Sequence, residues 1–391
     1  MLRVLILSTL FPDHARPVFG TFVERQTLSL AARGDVEVQI VVPRGLPPPP
    51  LDRHSRYVAM RALPDRETWQ GLALYRPRFL HLPSIGARLD SALMQRALLP
   101  LLRNIRREFT FDIIQAEYFY PDGLAAIGIG KALGVPVSIK ARGSDINYWG
   151  KRSDTRAQIS RAGKQADGML AVSAAIRGEM IALGLPADRI AVHYTGVDRA
   201  LFHVRDRAQA KRALGIERPL VVTVAPLIAK KGVALVIAAM ARLPGAELVI
   251  LGAGPDQAAL NAQVAALGLV DRVRLIGSQP RQNVANWLAA ADVMALPSAS
   301  EGLANAWVEA LASGTPIVIA DVGGAAELVN RACAGQLVAQ APEAIANAIS
   351  AILLSPPDRN QVSETVAKFS WDTNSSQLFD HLTAIVARHR I

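Results

Sequence analysis

Residues 2–42 read LRVLILSTLFPDHARPVFGTFVERQTLSLAARGDVEVQIVV. Val4 to Leu7 is an unbroken apolar run, the pattern of a strand buried on both faces. A helix is expected from Phe22 to Arg33, ended by Gly34, and a second strand over Val36–Val42. Strand, helix, strand is the repeating unit of a parallel sheet.

The same alternation runs outward along the chain. Strands are expected at Asp112–Gln115, Val135–Lys140 and Met169–Val172, with Ser173 placed to cap the helix that follows. Arg44–Pro50 is a proline-rich loop, and the stretch from there to Pro83 shows no clear period. A second series has strands at Leu220–Ala225, Glu247–Leu251, Val273–Ile276, Asp292–Leu296 and Pro316–Ile319. Helices fit between them, and Gly196 to Phe202 lies between the two series. The expected class is therefore α/β, with an N-terminal domain over 1–197 and a C-terminal domain over 198–370. A tail, 371–391, is left free to pack back on the first domain. In such sheets ligands sit beyond the carboxyl ends of the strands, so the loops after the strands are where chemistry is sought.

Composition narrows the classes. The 391 residues exceed one ordinary hydrophobic core, and half of them are apolar. The single cysteine, Cys333, permits no intrachain disulfide and agrees with a reducing compartment. Leu2–Leu10 is too short an apolar run for a signal peptide and ends at Phe11-Pro12-Asp13 like a strand entering a loop. No stretch approaches the roughly 18 apolar residues of a membrane span. A cytosolic protein is expected.

Charge is uneven. Residues 1–197 carry 26 Lys and Arg against 17 Asp and Glu, while the remainder carries 17 against 16. A basic first half suits a polyanion or an anionic membrane face. The segment Ala87–Phe109 sharpens this expectation. It interleaves Arg88, Arg96, Arg103, Arg106 and Arg107 with Leu89, Leu93, Met94, Leu98, Leu101, Leu102 and Ile105. Such a helix can lie flat on an anionic leaflet or pack its leucines on the sheet.

The constellation richest in chemistry is Pro297-Ser-Ala-Ser-Glu301-Gly302-Leu303-Ala304-Asn305-Ala-Trp-Val-Glu309-Ala310, followed by Gly314-Thr315-Pro316. Glu301 falls just past a strand end. A helix is expected from about Leu303, with free N–H groups at its start. Glu309 comes a little over two turns later, among apolar neighbours that require it to have a partner. Two carboxylates so separated can accept hydrogen bonds from hydroxyls at two points of a long polar ligand.

These residues resemble the Glu-x7-Glu signature of family 4 glycosyltransferases, and the resemblance extends over nearly the whole chain. Phe11-Pro12, Pro17, Gly20-x-Phe22-Val23 and Gln26 look like the teichuronic-acid and exopolysaccharide branch, as does Arg142-Gly143-Ser144-Asp145-Ile146-Asn147. Gly196-Val197-Asp198 with Phe202, Lys231-Gly232 and Gly252-Ala253-Gly254-Pro255 are similar in order and position. The resemblance implies a GT-B fold, two Rossmann-like domains with parallel sheets facing across a cleft. It implies a retaining, metal-independent transfer from a nucleotide-diphosphate sugar to a glycan or lipid-linked glycan, in the cytoplasm or on the inner face of the cell membrane.

By the same resemblance Glu309 holds the donor ribose. Glu301 and the N–H groups of Gly302, Leu303, Ala304 and Asn305 hold sugar and phosphate. Lys231, assisted by Lys230, meets the diphosphate, and Gly20 lets backbone approach it. Arg142 is a phosphate or acceptor contact, because it stays protonated and cannot act as a base. Asp145 orients Arg142 or the sugar, or caps a helix. The chain departs from relatives at Pro226, which stands where a phosphate-binding arginine is usual and cannot donate.

No other cofactor is expected. Gly252-x-Gly254 lacks the third glycine of a dinucleotide fingerprint, since Gln257 stands there. The histidines show no metal-ligand spacing. The alternative reading is a nucleotide-sugar epimerase of the same architecture, against which the matched loops offer no histidine. A non-catalytic sugar-nucleotide binder conflicts with the presence of both Glu301 and Glu309. A nucleic-acid partner lacks any recognised module.

Overall fold

The computed structural model describes residues 1–83 and 86–390; Ile391, the end of the expected tail, lies outside the described residues. The chain divides into two compact units, one of residues 1–196 with 371–391 and one of residues 197–370.

The first unit contains strands β1 (Leu2–Leu7), β2 (Val36–Val41), β3 (Arg44–Leu46), β4 (Arg66–Trp69), β5 (Leu72–Tyr75), β6 (Arg78–Leu80), β7 (Ile113–Ala116), β8 (Val137–Ala141), β9 (Gly168–Ala171) and β10 (Ile190–Val192). Eight of them form one sheet in the order β10-β9-β8-β7-β1-β2-β5-β4, and β3 pairs with β6 apart from it. All pairs in the large sheet are parallel except β4 with β5. Val4, Leu5, Ile6 and Leu7 are fully buried, as the apolar run of a central strand requires. The segment without a clear period holds the helix Ser55–Ala62 and the β4–β5 hairpin. Its two-residue turn is Gln70-Gly71, both at positive φ.

Gly20 precedes the helix Thr21–Ala31 at φ 68°. A Cβ there would stand 2.5 Å from the Leu10 carbonyl carbon, so the close approach of two backbone segments inside this unit already demands glycine. The C-terminal helix Trp371–His389 packs along Thr21–Ala31. It adds Leu378, Leu382, Ile385 and Val386 to the core formed by Val4, Ile6, Val23 and Leu30.

The basic segment forms the helix Asp90–Glu108, and its apolar stripe is not available to a bilayer. Met94, Leu98, Leu102 and Ile105 are buried, with the helix packed on the helix Leu124–Leu133 and on β6. Arg106 is also engaged, donating to the Leu133 carbonyl at 2.6 Å and lying over Phe111. Of the two readings of this segment, leucines below lipid headgroups or leucines packed on the protein, the structure has the second, and the first is corrected because core packing claims them. Among the described residues no helix is long and apolar enough to cross a membrane.

The second unit contains β11 (Leu220–Val224), β12 (Glu247–Leu251), β13 (Val273–Leu275), β14 (Val293–Leu296), β15 (Ile317–Ala320) and β16 (Gly335–Val338). They form a six-stranded sheet in the order β13-β12-β11-β14-β15-β16, with every pair parallel. The strand order reverses between β11 and β14. The loops leaving those two strands therefore diverge at the switch point where open α/β sheets bind ligands.

Candidate functional site

Three glycines draw the switch-point loops of the second unit together. Gly232 adopts φ 69° after the short turn Ala229–Lys231, and a Cβ there would stand 2.5 Å from the Pro297 carbonyl oxygen. Lys230 accepts a backbone bond from Ala299 at 2.7 Å. On the other side Gly323, at φ 53°, lies so close that a Cβ would stand 2.2 Å from the Glu301 carbonyl oxygen. Gly324 donates to the Gly302 carbonyl at 2.8 Å. The loop carrying Glu301 is thus clamped between the loops after β11 and β15.

Within this clamp Lys231 Nζ donates to Glu301 Oε1 at 2.5 Å, with both side chains largely buried, 14% and 12% exposed. The neighbouring Lys230 is exposed. The helix begins at Asn305, two residues later than the sequence suggested. Gly302, Leu303 and Ala304 form its buried lead-in, and Ala304 at the N-cap offers no side-chain cap. Glu301 and Glu309 therefore do not share a helix: the first is on a loop, the second in the helix Asn305–Ala312. The uncapped first turn has N–H groups suited to an anion.

Glu309 has the partner that its apolar setting required. Arg281 Nη1 lies 3.0 Å from Glu309 Oε1, and the guanidinium sits 5.1 Å from the centre of the Phe202 ring. Arg281 stands at the end of the loop that follows β13, at the start of the helix Arg281–Ala290. No spacing rule ties residue 281 to residue 309.

The Gly252-x-Gly254 pair has a conformational use. A Cβ on Gly252 would stand 1.8 Å from the Ala225 carbonyl oxygen, and one on Gly254 would stand 2.3 Å from that of Leu227. Leu227 donates to Ala253 at 3.0 Å. The glycines let the loop after β12 press on the loop after β11, the loop that contains Pro226.

In the first unit the ends of β7 and β8 hold a second, deeper polar cluster. Arg142 forms a close ion pair with Glu117, with side chains 5% and 0% exposed. Gln26 joins them, donating to Glu117 Oε1 at 2.6 Å and accepting from Arg142 Nη2 at 3.3 Å. The guanidinium lies over Phe22, and its Nη1 is buried without a partner among the described residues. Lys140 Nζ donates to Gln26 Oε1 at 2.7 Å and to His193 Nδ1 at 2.7 Å. His193 Nε2 donates to the Asn374 carbonyl at 2.9 Å, which leaves Nδ1 as the acceptor. Burial, and then the nearby Arg142 charge, lowers the Lys140 amine well below its usual range. Burial, and then Lys140, does the same to His193.

Asp145 is fully buried and accepts backbone bonds from Phe119 at 3.0 Å, Arg142 at 3.0 Å and Gly143 at 2.8 Å. Its carboxylate is thus occupied in fixing the loop that carries Arg142, an arrangement that favours orientation of Arg142 over contact with a sugar. Burial pushes its carboxyl up to about 6. Asp122, close by, accepts from Thr9 N at 2.8 Å, and burial pushes it up to about 7. Glu117, Lys140 and His193 were not found from sequence. A lysine inside the apolar strand Val137–Ala141 was the available signal, since a buried charge must have partners.

Comparison with known proteins agrees with this architecture. The family description "Glycosyltransferase Family 4" matches residues 20–201, and "Glycosyl transferases group 1" matches residues 204–369. A Bacillus subtilis protein, TuaC, named as a teichuronic acid biosynthesis glycosyltransferase, is 26% identical over 390 residues, 96% of this chain and 97% of its own. The amylovoran biosynthesis glycosyltransferase AmsK of Erwinia amylovora is 30% identical over 364 residues, 85% of this chain and 86% of its own. Among solved structures, HepE of Anabaena in complex with UDP superposes with a TM-score of 0.74 at 21% identity, over 98% of this chain and all of its own. Sucrose-phosphate synthase of Thermosynechococcus elongatus gives 0.79 at 20% identity, over 99% of this chain and all of its own.

Proposed function

From the fact that this chain belongs to the family 4 glycosyltransferases, has the GT-B fold and acts in polysaccharide biosynthesis, we propose that it transfers a sugar, with retention of configuration, from a nucleoside-diphosphate sugar to a surface-glycan acceptor carried on a lipid. The observation that carries this reading is the buried Lys231–Glu301 pair beside an uncapped helix start, with Glu309 further along that helix. That HepE was solved with UDP and with UDP-glucose supports a nucleotide-sugar donor.

The chemistry follows from charge. As the glycosidic bond breaks, negative charge grows on the leaving diphosphate. Lys231, held by Glu301, and the N–H groups of the first helical turn are already oriented to receive it, so little reorganisation is needed at the transition state. Glu301 accepts from donor-sugar hydroxyls and Glu309 from the ribose. A lysine and a helix start supply the positive potential for which other transferases use a metal ion, and no cofactor is required. Lys230 adds a second charge near the phosphate, where Pro226 cannot donate. In the first unit Arg142 Nη1 offers a directed N–H to an oxygen of substrate, and Asp145 fixes the loop behind it. The reading sets the enzyme in the cytoplasm, with its lipid-linked acceptor at the inner face of the membrane. A basic first unit favours an anionic membrane face as neighbour.

Thermal-shift measurement against UDP, GDP and ADP sugars tests the donor class. A ligand at about 100 times its dissociation constant adds roughly 2.7 kcal/mol of stability. No shift with any of them removes the proposal. NMR of the product anomer then tests retention.

A further inference from the structure

Arg281 is the first residue of the helix Arg281–Ala290. A cation at a helix N-terminus faces the positive end of the dipole, so the position is locally unfavourable for arginine. Contacts outside the helix can offset this. Two groups do: Glu309 at 3.0 Å and the ring of Phe202 at 5.1 Å.

Phe202 belongs to the Gly196–Phe202 motif, which the proposed chemistry leaves without a task. Its backbone N–H donates to the Asp198 carbonyl at 2.8 Å, and Leu201 N–H donates to Asp198 Oδ1 at 3.2 Å. This turn drives the Phe202 ring to complete burial. Three residues on, Arg205 donates to Leu201 O at 2.9 Å and to Asn286 Oδ1 at 2.8 Å, tying the segment to the same helix that begins at Arg281. The segment after Asp198 is therefore a bracket under the helix start.

We propose that Arg281 is a positioning residue for Glu309: supported on Phe202, its guanidinium holds Oε1 of the Glu309 carboxylate, so that the carboxylate is placed to receive the ribose hydroxyls of the donor nucleotide. This rests on the reading of Glu309 as the ribose contact. A carboxylate free to rotate loses most of its preference for a particular pair of hydroxyls, whereas one gripped by a guanidinium keeps it. Arg281 then acts on the ribose, which all nucleotides share, and not on the base.

The test compares UDP with 2′-deoxy-UDP by calorimetry, and ADP and GDP with their 2′-deoxy forms in parallel. Wild-type protein should prefer the ribonucleotide by about tenfold or more, the loss expected for a hydrogen bond to a charged group. In Arg281→Ala that ratio should fall below about threefold for every base, with Arg281→Lys intermediate. Arg281→Gln, which preserves side-chain bulk, replaces the alanine variant if the latter fails to fold. An undiminished ratio in the folded Arg281 variants overturns the proposal. So does a loss confined to one base, which would make Arg281 a base contact. Glu309→Ala calibrates the experiment. If it keeps the full ribose preference, or if wild type shows none, the ribose reading itself fails, a result distinct from failure of Arg281 alone.

Discussion

Lys231 and Glu301, 70 residues apart in sequence, meet at 2.5 Å in a largely buried ion pair. Neither can be judged alone, because removing one leaves the other partly desolvated and unpaired. Lys231→Ala should lower turnover by about a hundredfold or more if the lysine stabilises the leaving diphosphate. Glu301→Ala should lower turnover more than it lowers affinity for free nucleotide, since its proposed second partner is the sugar. The double variant should lose much less than the product of the two single losses, as expected for coupled neighbours. Steady-state rates of the four proteins close the cycle, and strict multiplicativity would show that the pair is not a functional unit.

Lys230 provides a comparison. It is exposed and adjoins the loop that contains Pro226, which has no N–H to donate. Lys230→Ala should reduce turnover measurably but less than Lys231→Ala. A silent Lys230 variant beside an inactive Lys231 variant would mean that nothing compensates for Pro226.

Activity should survive EDTA if, as proposed, Lys231 and the helix start meet the phosphate charge without an ion. Loss of turnover on chelation, restored by added magnesium or manganese, would contradict this arrangement.

Much of this was legible before the structure. The alternation from β1 to β2 and from β11 to β15 shows directly in apolar runs separated by helical stretches, because parallel strands buried on both faces leave little room for polar residues. The Glu301–Glu309 spacing also shows directly. What did not show has physical reasons. The β4–β5 hairpin has strands of only four residues, one alternating between exposed and half-buried and the other buried only at its end, too short for a period to stand out. The start of the helix at Asn305 is set by the clamp of Gly323 and Gly324 on Glu301 and Gly302, a contact between distant segments. Arg281 with Glu309, and Lys140 with Gln26 and His193, are likewise made by tertiary packing. Composition and spacing say only that such groups need partners, not which ones.

Stability should depend on pH in two opposed ways. Burial lowers His381 from 6.5 to about 4, where Ser138 Oγ lies 3.0 Å from its ring nitrogen. Between about pH 6.5 and 4 the unfolded chain takes up a proton that the native state refuses, so this histidine destabilises the fold as pH falls. Asp122 has the reverse sign. Its carboxyl, raised from 3.8 to about 7, keeps its proton in the native state while the unfolded chain releases it. Its contribution is therefore complete below about pH 4 and declines as pH rises to 7. Relative to wild type, Asp122→Asn should gain stability from pH 4 to 7, and His381→Asn should gain it from pH 6.5 down to 4. Melting temperatures across that range will show opposite slopes; parallel curves would refute the assignment.

The last prediction concerns the membrane, and the burial of Met94, Leu98, Leu102 and Ile105 changes its form. With that stripe in the core, the helix Asp90–Glu108 has no apolar face to insert, so any affinity it confers must be coulombic. Its exposed cations are Arg96, Arg103 and Arg107, whereas Arg106 is held by the Leu133 carbonyl. Each basic residue near an anionic surface contributes about 1 kcal/mol, and the field decays within a Debye length. Three such residues give an attraction strong at low salt and largely screened near 1 M, where that length is about 3 Å. Flotation with phosphatidylserine vesicles should therefore carry the protein at low salt, release it at high salt, and fail on neutral vesicles. Reversing Arg96, Arg103 and Arg107 to Glu should abolish flotation while leaving the melting temperature within a few degrees, since none of the three is buried. Binding that persists on neutral vesicles, or in the triple variant, would place the membrane contact on another face.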